Sequence, residues 1–165
     1  EGYTATMSSL QKLEEIELSP KETSFDSLCE ELKNVSAMLA SEIKTDFHSS
    51  GSGVLYADLP AVLQTYENLV SNAIRYAKNE IKVQCKVNDS VLSITVEDDG
   101  PGFTSEALKK AAEPYFRTEK DMTDIAHFGI GLYICRLLCE KHGGRLTIEN
   151  AEGAKVTACF DISPK

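Results

Sequence analysis

The chain has 165 residues, of which 42% are hydrophobic and 26% charged, enough for one globular domain with a buried core. Its formal net charge of −9 argues against a general nucleic-acid binder, because such proteins carry a basic surface. An anionic ligand would therefore have to be held by local features, such as helix N-termini and single Arg or Lys side chains.

The first third of the chain predicts short elements separated by turns. Residues 1–18 carry apolar side chains at three- or four-residue spacing and predict the end of an amphipathic helix, which Ser19-Pro20 terminates. The elements predicted next are an edge strand over 21–25, a helix with Asp26 as its N-cap, and strands over 44–48 and 54–56.

A helix from about Pro60 to Lys78, capped by Asp58, organises the rest of the chain. One face is apolar and should pack on a sheet; it consists of Leu59, Val62, Leu63, Tyr66, Leu69, Val70, Ala73 and Ala77. A second line carries Asn68, Asn72 and Tyr76 four residues apart, with Arg75 beside them. Two carboxamides, a cation and a ring suit phosphate, a hard metal and a flat base, although a solvated helix face has the same composition.

The second half predicts two hairpins with helices between them. Ile81 to Val87 and Val91 to Val96 alternate in polarity around a turn. The remaining predicted elements are a short helix over 105–112, a helix over 129–142, and strands over 145–150 and 155–162. Because the strands pair through hairpins, we expect an α+β fold: a two-layer sandwich with a mixed, mostly antiparallel sheet and helices on one face.

Two glycine-rich segments are candidates for ligand binding. Asp98-Asp99-Gly100-Pro101-Gly102-Phe103 follows a predicted buried strand, where a carboxylate can accept a hydrogen bond from the exocyclic amine of adenine and glycine lets the backbone approach a ring. His127-Phe128-Gly129-Ile130-Gly131-Leu132 opens a helix, where N–H groups can meet an anion. Each segment alone has an ordinary alternative, a common turn or a frequent Gly-x-Gly.

Cysteine usage and hydropathy say little about function. The five cysteines are an odd number at scattered spacing, which favours free thiols in a reducing compartment over a disulfide framework. No apolar run is long enough to span a bilayer. The start at Glu1 within a helical pattern predicts that the chain is a piece of a longer protein.

The order of these segments resembles bacterial sensor histidine kinases. Asn68-Leu-Val-Ser-Asn72-Ala-Ile-Arg-Tyr76 resembles their asparagine box, and residues 98–103 resemble the first glycine box. Pro114-Tyr115-Phe116-Arg117 resembles the phenylalanine box, and residues 128–134 the second glycine box. The resemblance covers residues 20–165 approximately and implies the Bergerat-type ATP-binding fold shared with gyrase, a heat-shock chaperone family and mismatch-repair ATPases.

The resemblance also implies roles for single residues. Asp99 would bind the adenine amino group, Asn72 would ligate Mg²⁺ and Asn68 would lie near the phosphates and metal. The further nucleotide contacts it implies are Arg75, Tyr76, Gly100, Gly102, Phe103, Phe116, Gly129, Ile130, Gly131 and Leu132, with Thr157 supporting the adenine-binding Asp. Residues 113–128 would form a lid over ATP, in which Arg117 stabilises the transferring phosphoryl group. His127 stands where the family often has another Gly, which puts the lid geometry in doubt.

One position bears on the reaction type. Hydrolysing relatives have a Glu one helical turn before the metal-binding Asn, where this chain has Asn68; an amide is no base, and the adjacent Glu67 points about 100° away. The resemblance therefore implies phosphoryl transfer to a histidine on a separate dimerisation domain, with a His-[Glu/Asp]-x-x-x-Pro context that His48, His127 and His142 lack. We expect the chain to bind ATP·Mg²⁺ without phosphorylating itself.

The implied partners follow from that assignment. Residues 1–18 would be the C-terminal end of a dimerisation helix and 19–165 the catalytic domain. Expected partners are the protein's own dimerisation domain and a response regulator, with no nucleic acid. The parent would be a homodimeric, membrane-attached protein with this domain in the cytoplasm. A serine-directed, hydrolytic or non-catalytic ATP-binding relative is the alternative.

Overall fold

The computed structural model describes residues 14–110, 112–113 and 131–164. Its strands are β1 (Lys21–Ser24), β2 (Lys44–Ser50), β3 (Val54–Ala57), β4 (Glu80–Asn88), β5 (Val91–Asp98), β6 (Arg145–Asn150) and β7 (Ala154–Asp161). Its helices are α1 (Phe25–Leu39), α2 (Leu59–Tyr76), α3 (Ser105–Lys110) and α4 (Gly131–Lys141). The predicted order of elements is confirmed over these residues, whereas most of the predicted helix over 1–18 and the predicted start of α4 at Gly129 lie outside them.

Five strands form the main sheet, in the order β2-β4-β5-β7-β6. The β2–β4 pair is parallel, and the other three pairs are antiparallel. β1 and β3 form a separate two-stranded antiparallel sheet. The predicted mixed, mostly antiparallel sheet is therefore confirmed.

One face of the main sheet is covered by helices. Inward residues of β4, β5 and β7 share one buried apolar cluster with residues of α1, α2 and α4. Alternation along β5 shows the pattern: Leu92, Ile94, Val96 and Asp98 are buried, and the residues between them are not. The opposite face carries exposed polar side chains such as Lys82 and Gln84, so the fold is the expected two-layer α+β sandwich.

α2 is the central helix of the helical layer. The Asp58 side chain accepts a hydrogen bond from the Ala61 N–H at 3.0 Å, as predicted, and Pro60 lies in the first turn. Five of the eight predicted apolar positions are buried and the other three are half-buried against the core. The Tyr66 hydroxyl, inside this core, hydrogen-bonds Ser36 of α1, and burial raises its pKa to about 12.

The predicted N-cap of α1 was wrong. The helix begins at Phe25, and the Ser24 side chain accepts from the Ser27 N–H at 3.0 Å. Asp26 lies in the first turn, where its charge suits the helix dipole. The cysteines are free thiols, as predicted, and all but Cys159 are buried. Within the described ranges, no helix combines the length and apolarity needed to cross a membrane.

Candidate functional site

Described parts of both predicted glycine segments lie against α2. A Cβ placed on Gly100 would lie 2.1 Å from the Tyr76 carbonyl oxygen, so the first glycine segment packs directly against the end of α2. A Cβ placed on Gly131 would lie 3.8 Å from Asn68 Oδ1, so α4 begins beside the same helix. The fold therefore brings the first glycine segment against the C-terminal end of α2, and Gly131, from the described part of the second segment, beside Asn68.

The two asparagines of α2 are half-buried, one helical turn apart. Asn68 Nδ2 donates to the Gln64 carbonyl oxygen at 3.1 Å, and Oδ1 lies near the start of α4. A carboxamide held in this way presents its oxygen, which is the atom that hard cations prefer. Arg75 and Tyr76, at the C-terminal end of the same helix, are also half-exposed.

Asp98 is a buried carboxylate at the end of β5 that the sequence analysis did not select. Its residue is 4% exposed, and its Oδ1 accepts from the N–H groups of Gly100 at 2.8 Å and Ala154 at 3.2 Å. Both hydrogen bonds that the described residues give to Asp98 end on Oδ1. Burial raises the pKa of Asp98 against the opposing effect of these two N–H donors. The alternation of β5 was the signal that could have identified it, because Asp98 continues the buried series.

Asp99 is held by the backbone that joins α2 to β4. Its Oδ1 accepts from the N–H groups of Lys78 at 2.7 Å and Asn79 at 3.1 Å, and its Oδ2 accepts from Asn79 at 3.0 Å and Glu80 at 3.2 Å. Desolvation acts to raise the pKa of Asp99. The backbone N–H donors, of which Asn79 has the largest effect, outweigh desolvation, and the pKa is lowered. The carboxylate predicted to bind a purine amine thus uses both oxygens to close a turn of the chain.

Thr157 lies away from both aspartates. It pairs in register with Thr95 of β5, and the two hydroxyl oxygens are 3.1 Å apart. These residues lie on the open face of the sheet, whereas Asp98 continues the helix-covered face. Thr95 also precedes Asp99 by four residues, or roughly 13 Å of strand. The prediction that Thr157 supports an adenine-binding Asp is therefore corrected. Side chains alternate between the two faces of a strand, and the register of β7 puts the Thr157 side chain on the open face.

The end of the first glycine segment is fixed to β6. Gly102 has φ +81°, a conformation that glycine adopts at little cost. The next residue, Phe103, packs partly against the core and exchanges two hydrogen bonds with the Asn150 side chain. Asn150 was not predicted, because 47 residues of sequence separate it from its partner.

Of the remaining predicted residues, only Leu132 lies within the described part of the chain. Leu132 is buried in the core at the start of α4. Phe116, Arg117, His127, Gly129 and Ile130, with nearly all of the predicted lid, lie outside the described residues.

The donor set fits a hard cation that keeps most of its own water or phosphate ligands. Over residues 14–110, 112–113 and 131–164, no group of three His, Cys, Asp or Glu side chains could hold a metal ion. The oxygen that the site offers is that of a half-buried carboxamide, at Asn68 or at the predicted ligand Asn72. These carboxamide oxygens would hold Mg²⁺ when phosphate and water supply its other ligands.

Comparisons with known proteins identify the family of the chain. Residues 57–164 match the family described as histidine kinase-, DNA gyrase B- and HSP90-like ATPase. Sensor histidine kinase CpxA of Escherichia coli is 32% identical over 102 residues, covering 61% of this chain and 22% of CpxA. Sensor protein SrrB of Staphylococcus aureus is 30% identical over 103 residues, covering 61% of this chain and 18% of SrrB. The aligned region thus spans about a fifth of these curated relatives.

A solved structure shares the fold over most of the chain. The catalytic domain of histidine kinase ThkA superposes with a TM-score of 0.73 at 25% identity, covering 89% of this chain and 100% of that one. The resemblance inferred from the four sequence boxes is confirmed by these relatives and by the match to the family. The chain belongs to the histidine kinase-, DNA gyrase B- and HSP90-like ATPase family.

Proposed function

We propose that this chain is the ATP-binding catalytic domain of a two-component sensor histidine kinase. It transfers the γ-phosphoryl group of ATP to a histidine on a separate dimerisation domain, from which a response regulator is phosphorylated. The observation that carries the proposal is that Gly100 packs against the C-terminal end of α2 while Gly131, at the start of α4, lies beside Asn68 of the same helix. It supports a single site that includes the buried carboxylate of Asp98 and the two carboxamides of α2.

The purine end of the site is assigned to Asp98 in place of Asp99. Both oxygens of Asp99 already accept from backbone N–H groups, whereas the recorded bonds of Asp98 end on Oδ1. Asp98 Oδ2 is the oxygen that accepts from the exocyclic amine of adenine. A carboxylate has no donor at neutral pH, so guanine, with an acceptor at that position, is disfavoured.

The triphosphate end is assigned to the middle of α2 and the start of α4. Asn72 holds Mg²⁺ through its side-chain oxygen, Asn68 lies near the phosphates, and Arg75 contacts phosphate. Mg²⁺, when bound, neutralises charge on the phosphate oxygens. The closeness of Gly131 to Asn68 lets the phosphates approach the N-terminal end of α4.

The polar residues near α2 favour a kinase over a hydrolase. Glu67 is exposed, and the position one turn before Asn72 carries an amide, so the described part of α2 offers no carboxylate base there. His142 is buried and has both ring nitrogens engaged, Nε2 with the Asp58 N–H and Nδ1 with the Asp161 carbonyl. His48 lies 3.1 Å from Asp46 on the open face of the sheet. We therefore place the phosphoacceptor on another domain.

The full-length assembly is a further part of this proposal. By analogy with sensor kinases, residues 1–18 belong to a dimerisation domain, and the parent protein is a membrane-attached homodimer with this domain in the cytoplasm. The analogy starts from the curated relatives, which are named as a sensor histidine kinase and a sensor protein.

A transfer assay in trans tests the proposal. The chain is mixed with γ-labelled ATP, Mg²⁺ and the separately purified dimerisation domain of the same protein. The expected label appears on that domain, is lost in acid as phosphohistidine is, and is absent from this chain incubated alone. Acid-stable label would favour the serine-directed alternative, and rapid phosphate release without a partner would favour a hydrolase. Failure to bind ATP at all would refute the proposed function.

A further inference from the structure

Residues on either side of the β6–β7 turn hydrogen-bond both ends of the first glycine segment. At the far end, the Asn150 side chain meets Phe103. At the near end, the Ala154 N–H donates to Asp98 Oδ1 at 3.2 Å. No helix or strand lies between these two contacts, so they bound the loop over residues 99–102.

The contact at the far end is bidentate. Asn150 Oδ1 accepts from the Phe103 N–H at 2.7 Å, and Asn150 Nδ2 donates to the Phe103 carbonyl oxygen at 2.9 Å. One carboxamide therefore satisfies both backbone groups of a single residue, as a neighbouring strand would. A side chain needs a donor and an acceptor in one plane for this, which the carboxamide has and a carboxylate lacks.

The contact at the near end requires close packing. A Cβ placed on Gly153 would lie 2.4 Å from the Asp98 carbonyl oxygen and 2.8 Å from the Gly100 nitrogen. Gly153 and Ala154 are both buried. The β6–β7 turn is thus fitted against the carboxylate that the proposed function assigns to the purine.

We propose that Asn150 is a positioning residue for the purine end of the nucleotide site. It acts through the backbone of Phe103 and, with Ala154, sets the course of the loop that begins at Asp98. This inference rests on the proposed function, since it concerns how that site is held in a binding-competent shape. It assigns Asn150 no contact with the nucleotide.

The physical reason is the freedom of the loop. Gly100 and Gly102 reduce the steric restriction of the segment, and Gly102 has a positive φ. A loop that is released at one end also populates conformations that do not bind the nucleotide. The apparent affinity then falls in proportion to the fraction of molecules that remain in the binding conformation. Loss of two exposed hydrogen bonds corresponds to an affinity loss of about 5- to 50-fold.

Calorimetric titration of the chain with Mg²⁺ and a non-hydrolysable ATP analogue tests the inference. Asn150→Ala removes both hydrogen bonds, and Asn150→Asp keeps the size of the side chain but sets a carboxylate oxygen against the Phe103 carbonyl. Thr147→Ala, at an exposed position of the same strand, is the matched control. We expect both Asn150 variants to bind about 5- to 50-fold more weakly at unchanged stoichiometry, and the control to bind like wild type.

Two further readouts separate positioning from structural damage. In the transfer assay, KM for ATP should rise in both Asn150 variants while kcat stays within about twofold. Wild-type affinity in Asn150→Asp would overturn the inference, since that variant preserves volume but not the donor. A fall in stoichiometry with unchanged affinity would overturn it too, because it indicates partial unfolding. Both results leave ATP binding by the wild type, and with it the proposed function, in place.

Discussion

Replacing Asp98 by Asn distinguishes the two adjacent aspartates. The variant amide can still accept from the Gly100 and Ala154 N–H groups through its oxygen, which leaves its NH₂ where Asp98 Oδ2 stands. A donor then faces the exocyclic amine of adenine, which is also a donor. Loss of a hydrogen bond to a charged acceptor costs about 1.5–3 kcal/mol, so the affinity for ATP should fall roughly 10- to 150-fold.

The same variant should not unfold the domain. Burial raises the pKa of Asp98, so the folded state binds the proton more tightly than the unfolded state. Its contribution to stability is therefore greatest below the unfolded pKa and decreases as pH rises through the folded pKa. A neutral Asn does not lose stability as pH rises in this way. The urea midpoint of Asp98→Asn at pH 7 should therefore equal or exceed that of wild type.

Asp99→Asn is the matched control and should behave in the opposite way. It places an NH₂ group against backbone N–H donors of residues 78–80, so the urea midpoint should fall while nucleotide affinity stays close to wild type. The assay is calorimetric titration with Mg²⁺ and a non-hydrolysable ATP analogue, beside urea unfolding. Wild-type affinity in Asp98→Asn together with lost binding in a stably folded Asp99→Asn would refute the reassignment.

Three further predictions concern stability. The pKa of Asp99 is lowered in the folded state, so its stabilising effect is complete above the unfolded carboxyl pKa of about 3.9 and is lost as pH falls through the folded pKa. The urea midpoint of wild type should therefore drop more in acid than that of Asp99→Asn. Equal drops would contradict this. Gly153→Ala forces a Cβ to 2.4 Å from the Asp98 carbonyl oxygen and should cost about 1–3 kcal/mol of unfolding free energy and weaken ATP binding; unchanged values in both assays would show that the turn does not pack as described. His142→Ala leaves the Asp58 N–H and the Asp161 carbonyl without the imidazole and should cost about 2–5 kcal/mol, measured by urea unfolding, against less than about 0.5 kcal/mol for a surface change such as Thr147→Ala.

Periodicity in the sequence was sufficient to predict the architecture. The spacing of Val62, Tyr66, Leu69 and Ala73 predicted the buried side of α2, and polar alternation predicted the hairpin of β4 and β5. These signals are local, because the spacing of the apolar residues follows directly from the burial of one face of each element. The cap of α1 was mistaken because Ser24 and Asp26 are both good caps, and only the end of β1 decides between them.

The site residues were harder to predict because they depend on strand phase and on distant contacts. Asp98 and Asp99 are adjacent in sequence, yet one continues the buried series of β5 and the other turns toward the start of β4. Thr157 was misplaced for the same reason. Asn150 and His142 find partners 47 and 84 residues away, and no local pattern carries that information.

A crystal structure of this domain with Mg²⁺ and a non-hydrolysable ATP analogue tests the central assignment most directly. We expect the exocyclic amine of adenine at hydrogen-bond distance from Asp98, about 3 Å, and the metal on a carboxamide oxygen of α2. A purine bound against Asp99, or a triphosphate remote from Asn68 and Asn72, would contradict it.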